Sequence, residues 1–171
     1  LNNLPTHCYA IDTWRGDEHA GYYGDDVHHS VKQFNDIHYS SFSRLLRMTF
    51  DEATPLFSDA SIDLLHIDGL HTYDAVRHDF DTWLPKVSDQ AVVLFHDTNV
   101  RERDFGVWRL WEELSVKYPH INFDHSNGLG VLFVGKEQPL SVHELLKAWD
   151  TSEGQSIIRQ VFARLGQCVE L

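Results

Sequence analysis

Two aspartates, Asp68 and Asp97, stand where short apolar runs stop. Ile62–Ile67 leads directly into Asp68, residues 91–95 (AVVLF) lead into His96-Asp97, and an amphipathic segment of helical period lies between them. That order predicts a strand–helix–strand unit. Its strands are then parallel neighbours whose carboxyl ends open on one edge of the sheet, where α/β folds bind their ligands. Adjacent strands lie about 4.8 Å apart, so carboxylates at the two ends can converge on one cation or one substrate hydroxyl. Carboxylates closing adjacent buried strands are costly without such a partner.

Other residues carry weaker signals. Asp12 ends a β-prone run at residues 7–12. A carboxylate there can accept two hydrogen bonds from the hydroxyls of a ribose, and it can equally be a turn or capping aspartate. His66-x-Asp68 has the spacing of non-haem iron oxygenases, which surround their metal with two histidines and a carboxylate. Those enzymes are usually all-β, and the helices predicted here argue against them. His66, inside a strand, reads as a hydrogen-bonded core histidine, and His96 is open to the same reading. His28, His29 and His38 read as exposed, as do Asp63, Asp74 and Asp81, while Asp79 pairs with nearby cationic groups such as Arg77. Residues 14–23, rich in Trp, Tyr and Gly, would suit a noncatalytic domain that binds a sugar or protein partner.

The elements that must position these residues emerge from periodicity. Residues 25–39 carry Val27, Val31, Phe34 and Ile37 at helical spacing, and residues 42–48 form a strand candidate. Thr49 stands three residues before Glu52 in capping-box spacing, and Pro55 keeps that helix short. The helix after Asp68 places Tyr73, Val76, Phe80, Trp83, Leu84 and Val87 on one face. Asp104 can cap the next helix, which carries Val107, Trp108, Trp111, Leu114 and Tyr118 on an apolar stripe and stops at Pro119. Asn127-Gly128 joins two strands at residues 121–125 and 129–134 in a hairpin, so the sheet ends antiparallel. Ser141 and Glu144 have capping-box spacing before a helix to Trp149, and residues 155–165 form another closed by Gly166.

With 171 residues the chain suits one domain, and the reading divides it into a core at residues 1–138 and C-terminal helices at 139–171 packed on the same domain. Its net charge of −12 would repel a phosphate backbone, which excludes nucleic acid as a natural partner. Cys8 and Cys168 are too few for a disulfide framework, and no apolar run is long enough to span a bilayer. A reducing cytoplasm and no membrane partner are the expectation. The sequence begins Leu1-Asn2-Asn3 without a methionine and enters a strand by residue 7, as a fragment of a longer chain would.

Strands alternating with helices and finishing in a hairpin, together with IDLLHIDGLHTYDAVRHDFDTWLPKV and AVVLFHDTN, resemble the class I S-adenosylmethionine-dependent methyltransferases. The likeness is to a subgroup with an Asp-Gly-x-His-x-Tyr signature after the fourth strand and a His-Asp pair after the fifth. It implies a Rossmann-like three-layer α/β sandwich with a mostly parallel sheet. It also implies that Asp12 holds the cofactor ribose, that Thr49 and Phe50 flank the adenine, and that Asp68 lies against the cofactor. Related metal-dependent O-methyltransferases hold Mg2+ through positions corresponding to Asp68 and Asp97, with Thr98 standing where an Asn or Asp is usual. The resemblance thus implies metal-assisted methylation of a small-molecule or sugar hydroxyl, with His71 or His96 taking the proton, His71 the better placed on its turn. The family's first strand and glycine-rich turn should precede Cys8, and no stretch here matches them. A sheet lacking that central strand could be completed by a second copy or another segment.

Overall fold

Parallel neighbours need a crossover between them, and the first elements of the chain supply one. The computed structural model describes residues 6–169, which divide between Ser58 and Asp59 into two compact units. In the first, β1 (Cys8–Asp12) is followed by a minimal hairpin of β2 (Gly16–Asp17) and β3 (Gly21–Tyr22). Then α1 (Asp25–His38) crosses to β4 (Ser43–Arg47), which pairs with β1 in parallel from Cys8↔Ser43 to Asp12↔Arg47. Asp25 and Asp26 in the first turn of α1 complement its dipole, although its N-cap, Gly24, contributes no side chain. The Thr49–Glu52 capping box forms at α2 (Phe50–Ala53), and Pro55 turns the chain into a single 3-10 turn at Thr54–Leu56. The sequence predicts a buried strand at residues 7–12, but β1 is mostly exposed, with Tyr9 at 49%. A two-stranded pair has no interior strand to bury.

The second unit is a four-stranded sheet between two helical layers. β5 (Ile62–Ile67), α3 (Tyr73–Trp83), a 3-10 turn at Leu84–Lys86 and β6 (Val87–His96) make the predicted parallel unit. Then come α4 (Val107–Ser115), β7 (His120–Phe123), β8 (Leu129–Phe133), α5 (Leu140–Trp149) and α6 (Ser152–Val169). The strand order is β5-β6-β8-β7, antiparallel from β6 onward. Strand alternation separates the two cores. Val93, Phe95 and Leu132 pack with Val76, Phe80, Leu110, Trp111 and Leu114 of α3 and α4, while Ile121, Phe123 and Phe133 pack with Trp149 and Ile158 of α5 and α6.

Four local expectations fail here, each for a physical reason. His66 is exposed rather than core, and Leu64 is 61% exposed, because β5 is the edge strand and only its Leu65 and Ile67 side faces the core. Asp104 does not cap α4: it lies in the left-handed region (φ 62°), and Gly106 occupies the N-cap. Pro139 takes the N-cap of α5, so the Ser141 box does not form. α6 runs through Gly166, since a glycine inside a helix costs only about 1 kcal/mol and need not end it. Among the described residues no helix is long and apolar enough to cross a membrane.

Candidate active site at the ends of two parallel strands

Because β5 and β6 pair in parallel as far as Ile67↔Phe95, Asp68 and His96-Asp97 leave the sheet side by side. His71 joins them from the turn that opens α3. Ligand-type atoms of Asp68, His71, His96 and Asp97 all lie within 4.8 Å of one another. His71 Nε2 is 3.1 Å from Asp97 Oδ2 and 3.4 Å from Asp68 Oδ1. His96 Nδ1 is 3.2 Å from Asp68 Oδ1 and 3.0 Å from Asp97 Oδ1. Two imidazole nitrogens therefore face two carboxylates, each nitrogen between a pair of oxygens.

The four groups differ in access. The Asp68 and His96 side chains are 44% and 40% exposed and form the open side, while Asp97 is buried at 7%. The hydrogen bond with His71 holds the Asp68 carboxyl below its usual pKa range, with the fields of His96 and His66 adding to it and partial burial opposing. Asp97 Oδ1 lies out of solvent and accepts no hydrogen bond, despite its closeness to His96 Nδ1. Removing a carboxylate oxygen from water without a donor is costly, and the atom calls for a cation or a proton.

Backbone geometry fixes the cluster. Asp97 adopts φ 60°, the left-handed region that aspartate tolerates better than most residues and that re-aims its side chain at the strand end. The β7–β8 loop clamps the residues just beyond it: Asn99 N donates to Asn127 O and Asn99 Nδ2 to Asp124 O, both at 2.8 Å. Gly128 (φ 87°) closes this contact, since a Cβ there would lie 2.6 Å from Thr98 Oγ1 and 2.9 Å from Asn99 N. Thr98 is accordingly buried against the hairpin.

His71 is held from the segment before α4. Its ring stacks on the buried Phe105 at 4.6 Å and 13°, and its carbonyl accepts from Gly106 N at 2.7 Å. Gly106 is required by close approach, because a Cβ would fall 2.3 Å from Tyr73 N. Thr72 caps α3 through Ala75 N. One turn further on, Tyr73 OH donates to Glu113 Oε1 (2.9 Å) and accepts from Arg77 Nη2 (2.8 Å), and Arg77 also pairs with Glu113, tying α3 to α4. The Tyr73 hydrogen bond, with Arg77 beside it, keeps the Glu113 carboxyl below its usual range. A depressed acid contributes stability above its unfolded pKa and loses it as pH falls through the lower folded value. Thermal melts should therefore show Glu113→Gln less stable than the parent at pH 7, with the gap closing as the pH is taken below about 4.

In the first unit, Asp12 and the Thr49-Phe50 pair lie at the carboxyl ends of the parallel strands β1 and β4, hence on the same edge. Asp12 Oδ1 accepts from Trp14 N at 2.7 Å, the turn role that the sequence left open. Trp14 is buried (φ 51°) and packs on His28 at 5.0 Å, so in the loop at residues 14–23 it is Tyr22 and Tyr23 that face solvent. His66 is not one of the four clustered groups. Its ring lies edge-on to His96 at 6.4 Å.

The chain is similar to known proteins in family and in fold. A family model described as a methyltransferase domain matches residues 1–98. The uncharacterized protein y4gI of Sinorhizobium fredii is 48% identical over 165 residues, 96% of this chain but 18% of its own length, so the chain spans about a fifth of that relative. Among solved structures, a Corynebacterium glutamicum protein superposes with TM-score 0.56 at 16% identity, covering 78% of this chain and 62% of that one. A candidate caffeoyl-CoA O-methyltransferase from Staphylococcus aureus superposes with TM-score 0.55 at 15% identity, covering 76% of each chain. At such identities the likeness is one of fold, and that fold is Rossmann-like α/β.

Proposed function

The chain belongs to the methyltransferase-domain family, and from that premise we propose that it takes part in methyl transfer from S-adenosylmethionine to a hydroxyl of a small molecule or sugar. The observation that carries the reading is the convergence of Asp68, His71, His96 and Asp97 at the ends of β5 and β6, with one side open to solvent. An acceptor hydroxyl on that side gives its proton to neutral His71, taken as the Nδ1–H tautomer so that Nε2 carries the free lone pair. Asp97 Oδ2 and Asp68 Oδ1, at 3.1 and 3.4 Å, stabilise the imidazolium that results. The stacked Phe105 ring and the Gly106 hydrogen bond keep His71 from swinging away. S-adenosylmethionine, when bound, would supply the methyl, its S–C bond breaking as the O–C bond forms and leaving a neutral thioether.

A divalent cation fits among these groups, since Asp97 Oδ1 is buried without a donor and two carboxylates offer hard oxygens. When bound it would lower the pKa of the acceptor hydroxyl. Asp68 and Asp97 would hold it. For the donor, Asp12 is proposed to bind the ribose with the oxygen that Trp14 leaves available, and Thr49 and Phe50 to border the adenine.

Calorimetry with S-adenosylmethionine on the full-length protein containing this chain tests the reading. Saturable binding is expected, weakened about tenfold or more by Asp12→Ala, a loss of charge-assisted hydrogen bonds of about 1.5–3 kcal/mol. No binding by the full-length protein would sink the methyltransferase reading in favour of a noncatalytic binding module.

A further inference from the structure

We infer that the cluster at the ends of β5 and β6 is a site for a first-row transition cation of the Zn2+ or Fe2+ class rather than Mg2+, with Asp68 Oδ1, His96 Nδ1 and Asp97 Oδ1 as its protein ligands. The inference rests on the proposed function only for the use made of the cation. The binding itself stands on geometry.

His96 Nδ1 sits 3.2 Å from one carboxylate oxygen and 3.0 Å from another. A single N–H can point at only one of them, and the second, Asp97 Oδ1, accepts no hydrogen bond although it is buried. A cation among the three atoms answers both. Ligands about 2.0–2.1 Å from a tetrahedral ion are separated by about 3.3 Å, close to the observed His96–carboxylate distances.

Ligand chemistry selects the ion. Mg2+ favours an all-oxygen octahedron with retained waters, whereas an imidazole nitrogen suits Zn2+, Fe2+ or Ni2+. Three protein ligands with an exposed side leave a coordination position open, as in catalytic rather than structural zinc sites. Thr98, which would complete an oxygen-only set, has its hydroxyl against the Gly128 backbone. His71 Nε2, 3.1 Å from the other oxygen of Asp97, orients that carboxylate from outside the ligand set and stays beside the open position.

The test is titration of the metal-free chain with ZnCl2 and MgCl2, without methyl donor, and with CoCl2 followed by its visible absorption as a reporter of nitrogen ligation. One tight Zn2+ per chain is expected, bound at least about 100-fold more tightly than Mg2+. His96→Ala should lose the tight Zn2+ phase and the cobalt band. His71→Ala should weaken Zn2+ by roughly 10–100-fold, the loss typical of an outer ligand partner. His143→Ala, on the exposed face of α5, should change neither and controls for adventitious binding in a histidine-rich chain. Circular dichroism confirms folding, and Asp97→Asn serves as a second ligand variant if His96→Ala misfolds. Mg2+ binding as tight as Zn2+, tight Zn2+ binding that survives both ligand variants, or no tight Zn2+ binding would overturn the inference. Because methyl donor is absent, those failures leave the methyltransferase reading to its own calorimetric test.

Discussion

If the proposed cation site serves methyl transfer in the full-length protein, replacing Asp97 by alanine should abolish the dependence of that activity on added divalent ion and lower kcat/KM by about a thousandfold, the scale of losing a positioned charge in a water-poor site. Asp97 is singled out by burial and connectivity. It is the only clustered group with a side chain below a tenth exposed, and its two oxygens serve two partners, Oδ2 facing His71 and Oδ1 facing His96. Truncation would leave both imidazoles without their shared carboxylate, and His71 would lose the group that stabilises it after it takes a proton. Asp68→Ala should cost less, because at 44% exposure water can take over part of its role. Measuring kcat/KM of both variants with and without added divalent ion checks the order. An Asp97→Ala protein with undiminished metal dependence would remove Asp97 from the site, whatever its structural importance.

The pair at the strand ends was legible because its signal is local. An apolar run of five or six residues breaking on an aspartate marks a strand end, and two such runs flanking a helical period force the ends onto one edge. His71 was legible for the same reason, lying in the turn between one strand end and the next helix. Phe105 and Gly106 were not, although they hold His71 in place. They reach it across more than thirty residues, and a phenylalanine before a helix carries no periodic mark that tells a ring stacked on histidine from ordinary core. The place of Asp97 at the strand end was visible and its left-handed backbone was not, since φ there is set against a hairpin loop that approaches only in the folded sheet. The misreading of His66 has a related cause. A continuous apolar strand predicts burial on both faces, but burial belongs to the partners a strand has, and among the described residues β5 has one.

Phe95→Ala should cost about 3–5 kcal/mol, the largest stability loss expected from a single truncation in the second unit. Phe95 is fully buried, and its ring meets Phe80 of α3 at 5.7 Å and Trp111 of α4 at 6.1 Å, so it joins both helices to β6 at once. Collapse around the cavity is limited beside it by Gly130, the cross-strand partner of Phe95, where the Trp111 ring already stands 2.5 Å from where a Cβ would be. For a chain of this size each kcal/mol shifts Tm by roughly 2–4 °C, which places the expected drop at about 6–20 °C. That is a large share of the roughly 5–15 kcal/mol that holds a typical domain folded. The residue immediately precedes His96 and Asp97, so the same truncation should loosen the cluster and weaken Zn2+ binding in protein that is still folded at low temperature. Phe95→Leu, which leaves a smaller void, should recover most of the Tm loss and most of the metal affinity together. If Leu restored stability while Zn2+ binding stayed lost, the packing beneath the strand end would not be what positions the site.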